Sequence, residues 1–251
     1  MNIAQNVKIC KVTCEKCPLQ EAAFFRAFTP EEARFMTSFK AGELNVEPGA
    51  TILVEQSHSA HLYSVLQGTA FRYKTLEDGR RQIMNFLFPG DLIGLQGSLT
   101  GEMQHSVETL SPVILCVFER NRLAELYREF PSLAYDITWM AAREEQILDE
   151  SILNVGRRSA LERAAYLIAY LYARARAVGL VAGPRLKMPV TQSLMADTLG
   201  LSVVHTNRTL KRLSGLKLIR WRERGCEILD EKRLLQLAQW DGLSEQPRPY
   251  L

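Results

Sequence analysis

At Pro131 the hydrophobic pattern of this 251-residue chain changes period, and that change restricts the fold to two unlike parts joined by a helix. Upstream, between Gly42 and Phe118, segments such as "HLYSVLQ", "TAFRYKT", "RQIMNFLF" and "VILCVF" are rich in β-branched and aromatic residues. Turn residues separate them at Pro48-Gly49, Gly68, Asp78-Gly79 and Pro89-Gly90-Asp91. Asp-Gly in "KTLEDGRRQI" tolerates the positive φ angles of a tight hairpin. Strands at this spacing predict an antiparallel barrel or a jelly-roll-like sandwich.

Downstream, the stretch from Ser132 to Val155 holds neither proline nor glycine. Leu133, Ile137, Met140, Ile147 and Asn154 fall on a 3-4 spaced seam, interrupted by Glu144 and Ser151. The stripe predicts a long helix at residues 131–156 with Leu133, Ile137, Met140 and Ile147 as its dimer interface. "SALERAAYLIAYLYARARAVG" then reads as an amphipathic helix with a glycine stop. "VTQSLMADTLG" and "LSVVHTNRTLKRLSG" follow, capped by Thr191 and Ser202 and ended by Gly200 and Gly215. Two short helices joined by Gly-Leu-Ser make the helix-turn-helix pattern. "LIRWRERGCEIL", with an Arg-Gly turn, predicts a wing hairpin after it.

Charge points the same way. Residues 157–224 carry 14 Lys/Arg against Glu162, Asp197 and Glu223, a local balance of +11, whereas residues 1–156 carry −6 and 225–251 carry −2. An excess spread over nearly 70 residues predicts a polyanion partner, most simply double-stranded DNA. In a helix-turn-helix the second helix enters the major groove and its first residues meet base edges. Ser202, Val203, Val204, His205, Thr206, Asn207 and Arg208 stand there. Arg208 matches guanine O6 and N7 bidentately, Asn207 matches adenine N6 and N7, and Val203 or Val204 suits a thymine methyl. Lys211, Arg212, Lys217, Arg220 and Arg222 suit phosphates, which position without reading sequence. No Ser/His/Asp constellation, phosphate loop or paired carboxylate site argues for an enzyme. No apolar run is long enough for a transmembrane helix, and "MNIAQNVKICKVTC" lacks the apolar core of a secretory signal. The expected location is the cytoplasm, away from membranes, where clustered cysteines read as metal ligands or redox centres before disulfides.

Over nearly its whole length the chain resembles the Crp/Fnr family of bacterial transcription regulators. "VTQSLMADTLGLSVVHTNRTLKRL" is similar to the family's helix-turn-helix, "FPGDLIG" to its effector-domain turn, and "GRRSALERAAYLI" to the start of its DNA-binding domain. The resemblance implies an α+β fold: an N-terminal β-roll like a cyclic-nucleotide-binding jelly roll, a long dimerisation helix and a C-terminal winged helix-turn-helix. The corresponding division is a cysteine-containing segment at 1–28, a sensor at 29–130, the helix at 131–156, the DNA-binding domain at 157–240 and a tail at 241–251. It further implies a homodimer on a palindromic operator and contact with RNA polymerase. Members that bind cyclic AMP carry Gly-Glu after the turn and Arg-Ser ten residues on; here those positions hold Gly94-Leu95 and His105-Ser106. Losing the ribose acceptor and the phosphate counter-charge argues against cyclic AMP. Many Fnr-like reading helices carry Glu, then Ser-Arg, where this chain has Val204, Asn207 and Arg208.

Cysteine is concentrated in "CKVTCEKCPLQ". Fnr-type oxygen sensors hold a [4Fe–4S] cluster through three N-terminal cysteines and one in the β-roll, and four thiolates are the usual requirement. The resemblance puts the fourth ligand at Cys116 and matches Cys14 and Cys17 to the C-x2-C pair, but the third position falls at Phe25. A cluster here therefore needs Cys10, Cys14, Cys17 and Cys116. The alternatives are a buried Cys116 acting as a small hydrophobe, zinc with His58 or His61 as fourth ligand, and a metal-free thiol switch. A thioredoxin-like use of "CEKC" lacks its βαβ context. Cys226 in the wing is expected to be structural. A second functional reading keeps the regulator but gates it with a small molecule in the β-roll.

Overall fold

The computed structural model describes residues 7–8, 12–181, 183–186, 188–222, 225–244 and 246–251. The chain divides into two compact units: residues 1–74, 87–145 and 246–251 form one, and residues 75–86 and 146–245 the other.

The first unit opens with strand β1 (Val7–Lys8) and two 3-10 turns, Cys14–Lys16 and Pro18–Glu21, before helix α1 (Pro30–Phe39). Its start is locally specified. Thr29 and Glu32 form a capping box and Pro30 takes the first turn, where its missing N–H costs nothing. The strands follow as β2 (Lys40–Val46), β3 (Thr51–Leu53), β4 (His61–Gln67), β5 (Ala70–Thr75), β6 (Arg81–Leu87), β7 (Leu92–Ile93), β8 (Ser106–Thr109) and β9 (Val113–Glu119), of which β6 falls almost wholly in the 75–86 segment of the second unit. Short helix α2 (Leu95–Thr100) lies between β7 and β8, and α3 (Leu123–Glu129) follows β9. The strands make two antiparallel sheets, ordered β1-β2-β9-β4-β7 and β3-β8-β5-β6. The predicted roll is therefore present, and its interior is filled. Leu44, Tyr63, Val65, Met103, Val107 and Leu115 are among the buried side chains of one cluster there.

Helix α4 (Pro131–Arg157) leads out of the first unit. The second unit continues through α5 (Ala160–Ala177), β10 (Arg185–Leu186), α6 (Gln192–Leu199), α7 (Val203–Gly215), β11 (Ile219–Arg222), β12 (Gly225–Ile228) and α8 (Glu231–Ala238). A Ser159–Glu162 capping box starts α5. Strands β10, β12 and β11 form a three-stranded antiparallel sheet, with β11 and β12 making the expected wing. Tyr166, Tyr170 and Trp240 pack edge-on and stacked at 5.6–6.0 Å between ring centres.

The expected dimer seam has a different destination. Leu133, Ile137, Met140 and Ile147 are all buried within the single chain. Periodicity reports that a helix face is covered, not by what. The face of α4 left open carries Tyr135, Thr138, Ala142, Glu145, Asp149 and Ile152, with Tyr135 70% and Ile152 73% exposed.

Candidate functional site

Helix α7 owes its placement to short-range chemistry. The Thr191 side chain accepts from the Leu194 N–H at 3.2 Å and starts α6. Gly200 ends it in the left-handed conformation, φ 64°. The Ser202 hydroxyl then accepts from the His205 N–H at 3.2 Å and starts α7. The Arg163 guanidinium donates to the Leu199 carbonyl at 3.1 Å, serving the C-terminal end of α6. A further grip comes from the 75–86 segment: Arg81 pairs with Asp197 at 3.0 Å and the Gln82 amide donates to the Thr198 carbonyl at 3.0 Å.

Thr206, Thr209, Leu210 and Leu213 form the buried stripe of α7. Thr206 is 0% exposed. It is thus a core position and not a base-reading one, a correction to the sequence-based set. The i, i+3, i+4, i+7 spacing that seats the helix also turns Thr206 inward. Ser202 is occupied as the cap. Val203, Val204, His205, Arg208, Lys211 and Arg212 are exposed, and Asn207 is half-buried. Among the described residues Arg208, Lys211 and Arg212 make no ion pair. The wing arginines differ. Arg220 pairs with Glu227 at 2.7 Å and Arg222 approaches the same carboxylate at 3.7 Å. Among the described residues α7 therefore presents a basic face free of ion pairs.

Two stretches of the chain match known families. Residues 43–130 match the cyclic nucleotide-binding domain and residues 162–237 the Crp-like helix-turn-helix domain. The chain is 30% identical to the nitrogen fixation regulation protein FixK of Bradyrhizobium diazoefficiens, over 90% of this chain and 93% of that one. It belongs to the Crp/Fnr family. Another Crp/Fnr relative, the transcriptional activator protein FnrL of Cereibacter sphaeroides, is 28% identical over 92% of this chain and 90% of its own. The fold is shared with FixK2 from Bradyrhizobium japonicum, at a TM-score of 0.70 and 24% identity, covering 80% of this chain and 98% of that one. This Crp/Fnr chain is accordingly a DNA-binding transcription regulator, not an enzyme. Among the described residues no helix is long and apolar enough to cross a membrane.

The cyclic-nucleotide positions are altered in chemistry as well as in name. His105 is buried, and desolvation, with Arg72 and Lys74 nearby, lowers its pKa from 6.5 to about 3. A neutral imidazole stands where a phosphate needs a cation. The Ser106 hydroxyl accepts from the Glu55 N–H at 3.0 Å, so it is already engaged.

The His105 shift has a measurable consequence. Between its folded and unfolded pKa values the unfolded chain binds a proton that the folded chain refuses. Its contribution is complete above about pH 6.5 and is lost as pH falls toward 3, at about 1.4 kcal/mol per pH unit. From pH 6 to 5, urea unfolding of the wild type should lose about 1 kcal/mol more than that of His105→Gln. Equal losses would mean that His105 charges in the folded chain.

Three cysteines converge in the first unit. Cys14 and Cys17 sit at the 3-10 turn, which is tied to α1 by the Cys14 N–H donating to Thr37 Oγ1 at 2.9 Å. Cys116 sits in β9 between Glu43 of β2 and Ser64 of β4. All three line a cavity of about 20 Å³, together with Lys40, Ser64 and Tyr250. Cys10, the fourth predicted ligand, lies outside the described residues. Burial raises the Cys17 thiol and pushes Cys116 up to about 12, against the opposing pull of the Lys40 ammonium. Lys40 is itself buried, held by Glu43 at 2.7 Å and the Val12 carbonyl at 3.2 Å. His58 and His61 line a different cavity with Arg120 and Tyr127.

Of the four thiolates that the implied cluster needs, the described residues bring together three, Cys14, Cys17 and Cys116. The cavity has room for about one water, and Phe25 is buried against Tyr250 at 5.1 Å. Among the described residues no group of three or more His, Cys, Asp or Glu side chains is placed to hold a metal ion. Cys226 is buried in the wing with its thiol pushed up to about 12, in an apolar setting. Sequence reasoning missed Lys40 and Tyr250; neither belongs to a local motif.

Proposed function

We propose that the chain works as a homodimer on a palindromic operator, contacts RNA polymerase there, and takes its signal at the thiol cavity. The observation that carries the DNA-reading part is the unpaired basic face of α7 behind its doubly capped turn. Arg208 and Asn207 read bases, Val203 and Val204 offer methyl contacts, and Lys211 and Arg212 hold phosphates. The open face of α4, with Tyr135 and Ile152, supports pairing of two chains along that helix. Two copies of α7 related by a two-fold axis require an inverted repeat.

The input reading rests on Cys14, Cys17 and Cys116 sharing one cavity with a buried ammonium. In this reading a redox signal acts on these thiols directly. The alternative, a small molecule inside the β-roll, finds that interior packed, with Met103 fully buried in it.

Selection of bound sequences from random DNA tests the proposal. It should return an inverted repeat bound by two chains, and Ile152→Glu should give a monomer that loses this site while keeping its thermal stability. Oxidation by diamide, which removes two electrons and two protons from a pair of thiols, should change operator affinity in the wild type and not in Cys14→Ser/Cys17→Ser. A non-repeated site, or equal response in both proteins, would overturn the respective part.

A further inference from the structure

The last residues of the chain return to the first unit. Arg248 forms a parallel bridge with Phe25: its N–H donates to the Phe24 carbonyl at 2.9 Å, and its carbonyl accepts from the Arg26 N–H at 2.9 Å. Its guanidinium is buried, pairing with Asp91 at 2.7 Å and donating to the Gly90 carbonyl at 2.8 Å. The same group lies 5.8 Å and 5.7 Å from the ring centres of Phe24 and Phe25. Tyr250 packs between Phe25 at 5.1 Å and Phe28 at 4.7 Å. Arg248 is 7%, Tyr250 1% and Leu251 6% exposed.

The receiving surface is shaped for this segment. Gly90 has φ +84°, and a Cβ there would lie 2.4 Å from the Phe25 ring. Pro247 and Pro249 flank Arg248, so the backbone is biased toward an extended form before it docks. That bias lowers the ordering cost of binding. Tyr250 and Leu251 also line the thiol cavity. The Tyr250 hydroxyl is buried beside Cys17 and, among the described residues, has no hydrogen-bond partner of normal geometry.

We infer that Phe24, Phe25, Phe28 and the Gly90-Asp91 turn form a peptide-binding groove for a C-terminal Arg-Pro-Tyr-Leu segment. The chain's own tail occupies it and thereby guards the thiol cavity. Two opposed effects make this a switch. With the tail in place, Tyr250 and Leu251 close the cavity over Cys17 and Cys116 and keep reagents out. With the tail out, water and reagents reach both thiols. The tail also follows directly on the DNA-binding unit, which ends at residue 245. Occupancy of the groove is therefore linked through the chain to the part that reads DNA. The inference goes beyond the proposed redox input and survives if that input fails, because it concerns what covers the thiols.

Iodoacetamide labelling of the full chain, resolved by cysteine with mass spectrometry, tests it. Arg248→Ala and Tyr250→Ala should each raise labelling of Cys17 and Cys116 at least tenfold, while Cys226 in the second unit stays at its wild-type rate. A chain ending at Glu245 should behave likewise, and adding the free peptide Gln-Pro-Arg-Pro-Tyr-Leu should restore protection. A peptide with alanine in place of arginine should not. Unchanged labelling, a rise shared equally by Cys226, or failure of the peptide to protect would each overturn the groove. If the truncated chain misfolds, excess peptide added to intact wild type must compete with the tail in tail-labelled fluorescence anisotropy; no change in anisotropy would sink the inference. A Cys14→Ser/Cys17→Ser protein that ignores diamide but still binds the peptide would separate this groove from the redox reading.

Discussion

On the proposed palindromic operator, Arg208→Ala should weaken binding by about 1–3 kcal/mol in each half-site, the cost of one lost bidentate base contact. Two half-sites double this, so affinity falls several hundredfold at the middle of the range. Arg208 is exposed on α7, and among the described residues no carboxylate competes with DNA for its guanidinium. Its helix is held from both sides, by the Ser202 cap and by the buried Thr206, Leu210 and Leu213. The substitution therefore removes a contact without loosening its support. Lys211→Ala provides the contrast. Loss of a phosphate contact lowers affinity for all sequences alike and reduces the salt slope by about one per chain. Fluorescence anisotropy on the selected operator and on single-base variants separates the two. Arg208→Ala should abolish discrimination at one base pair of each half-site. Undiminished binding and discrimination would remove α7 from its role.

What the sequence made legible was local. Thr191, Gly200 and Ser202 specify the helix-turn-helix within a dozen residues, because caps and a left-handed glycine act on their immediate neighbours. Asp78-Gly79 marks its hairpin for the same reason. What escaped was long-range. The stripe Leu133, Ile137, Met140 and Ile147 is genuine, yet periodicity does not say whether a second chain or the same one covers it. Arg248 meets Asp91 across 157 positions, and nothing around Gln-Pro-Arg-Pro-Tyr-Leu distinguishes a docked tail from a solvated one. Lys40 reads as an ordinary charge at the end of α1; only the folded sheet brings it to Cys116. Arg81 and Asp197 are likewise paired by the fold and not by any motif.

The largest expected loss of stability follows from the wing. Gly225 begins β12 with φ +123°, a conformation that L side chains rarely adopt. An alanine Cβ would lie 1.9 Å from the Leu186 carbonyl oxygen and 3.3 Å from the Met188 nitrogen. Both are backbone atoms, so no rotamer change relieves the clash. Strand β10 must then separate from β12, breaking the Leu186–Cys226 register and exposing the buried Cys226. Backbone strain alone costs about 1–3 kcal/mol. With the lost packing, Gly225→Ala should destabilise the second unit by about 3 kcal/mol or more and lower its melting temperature by roughly 10 °C. Gly215→Ala, at the end of α7, is the matched control: a Cβ there meets nothing within 4 Å and φ is ordinary. It should stay within about 1 kcal/mol of wild type. The wing variant should also gain labelling at Cys226 while Cys116, in the other unit, stays protected. A Gly225→Ala protein that melts with wild type would mean that β10 does not pack against β12 as described.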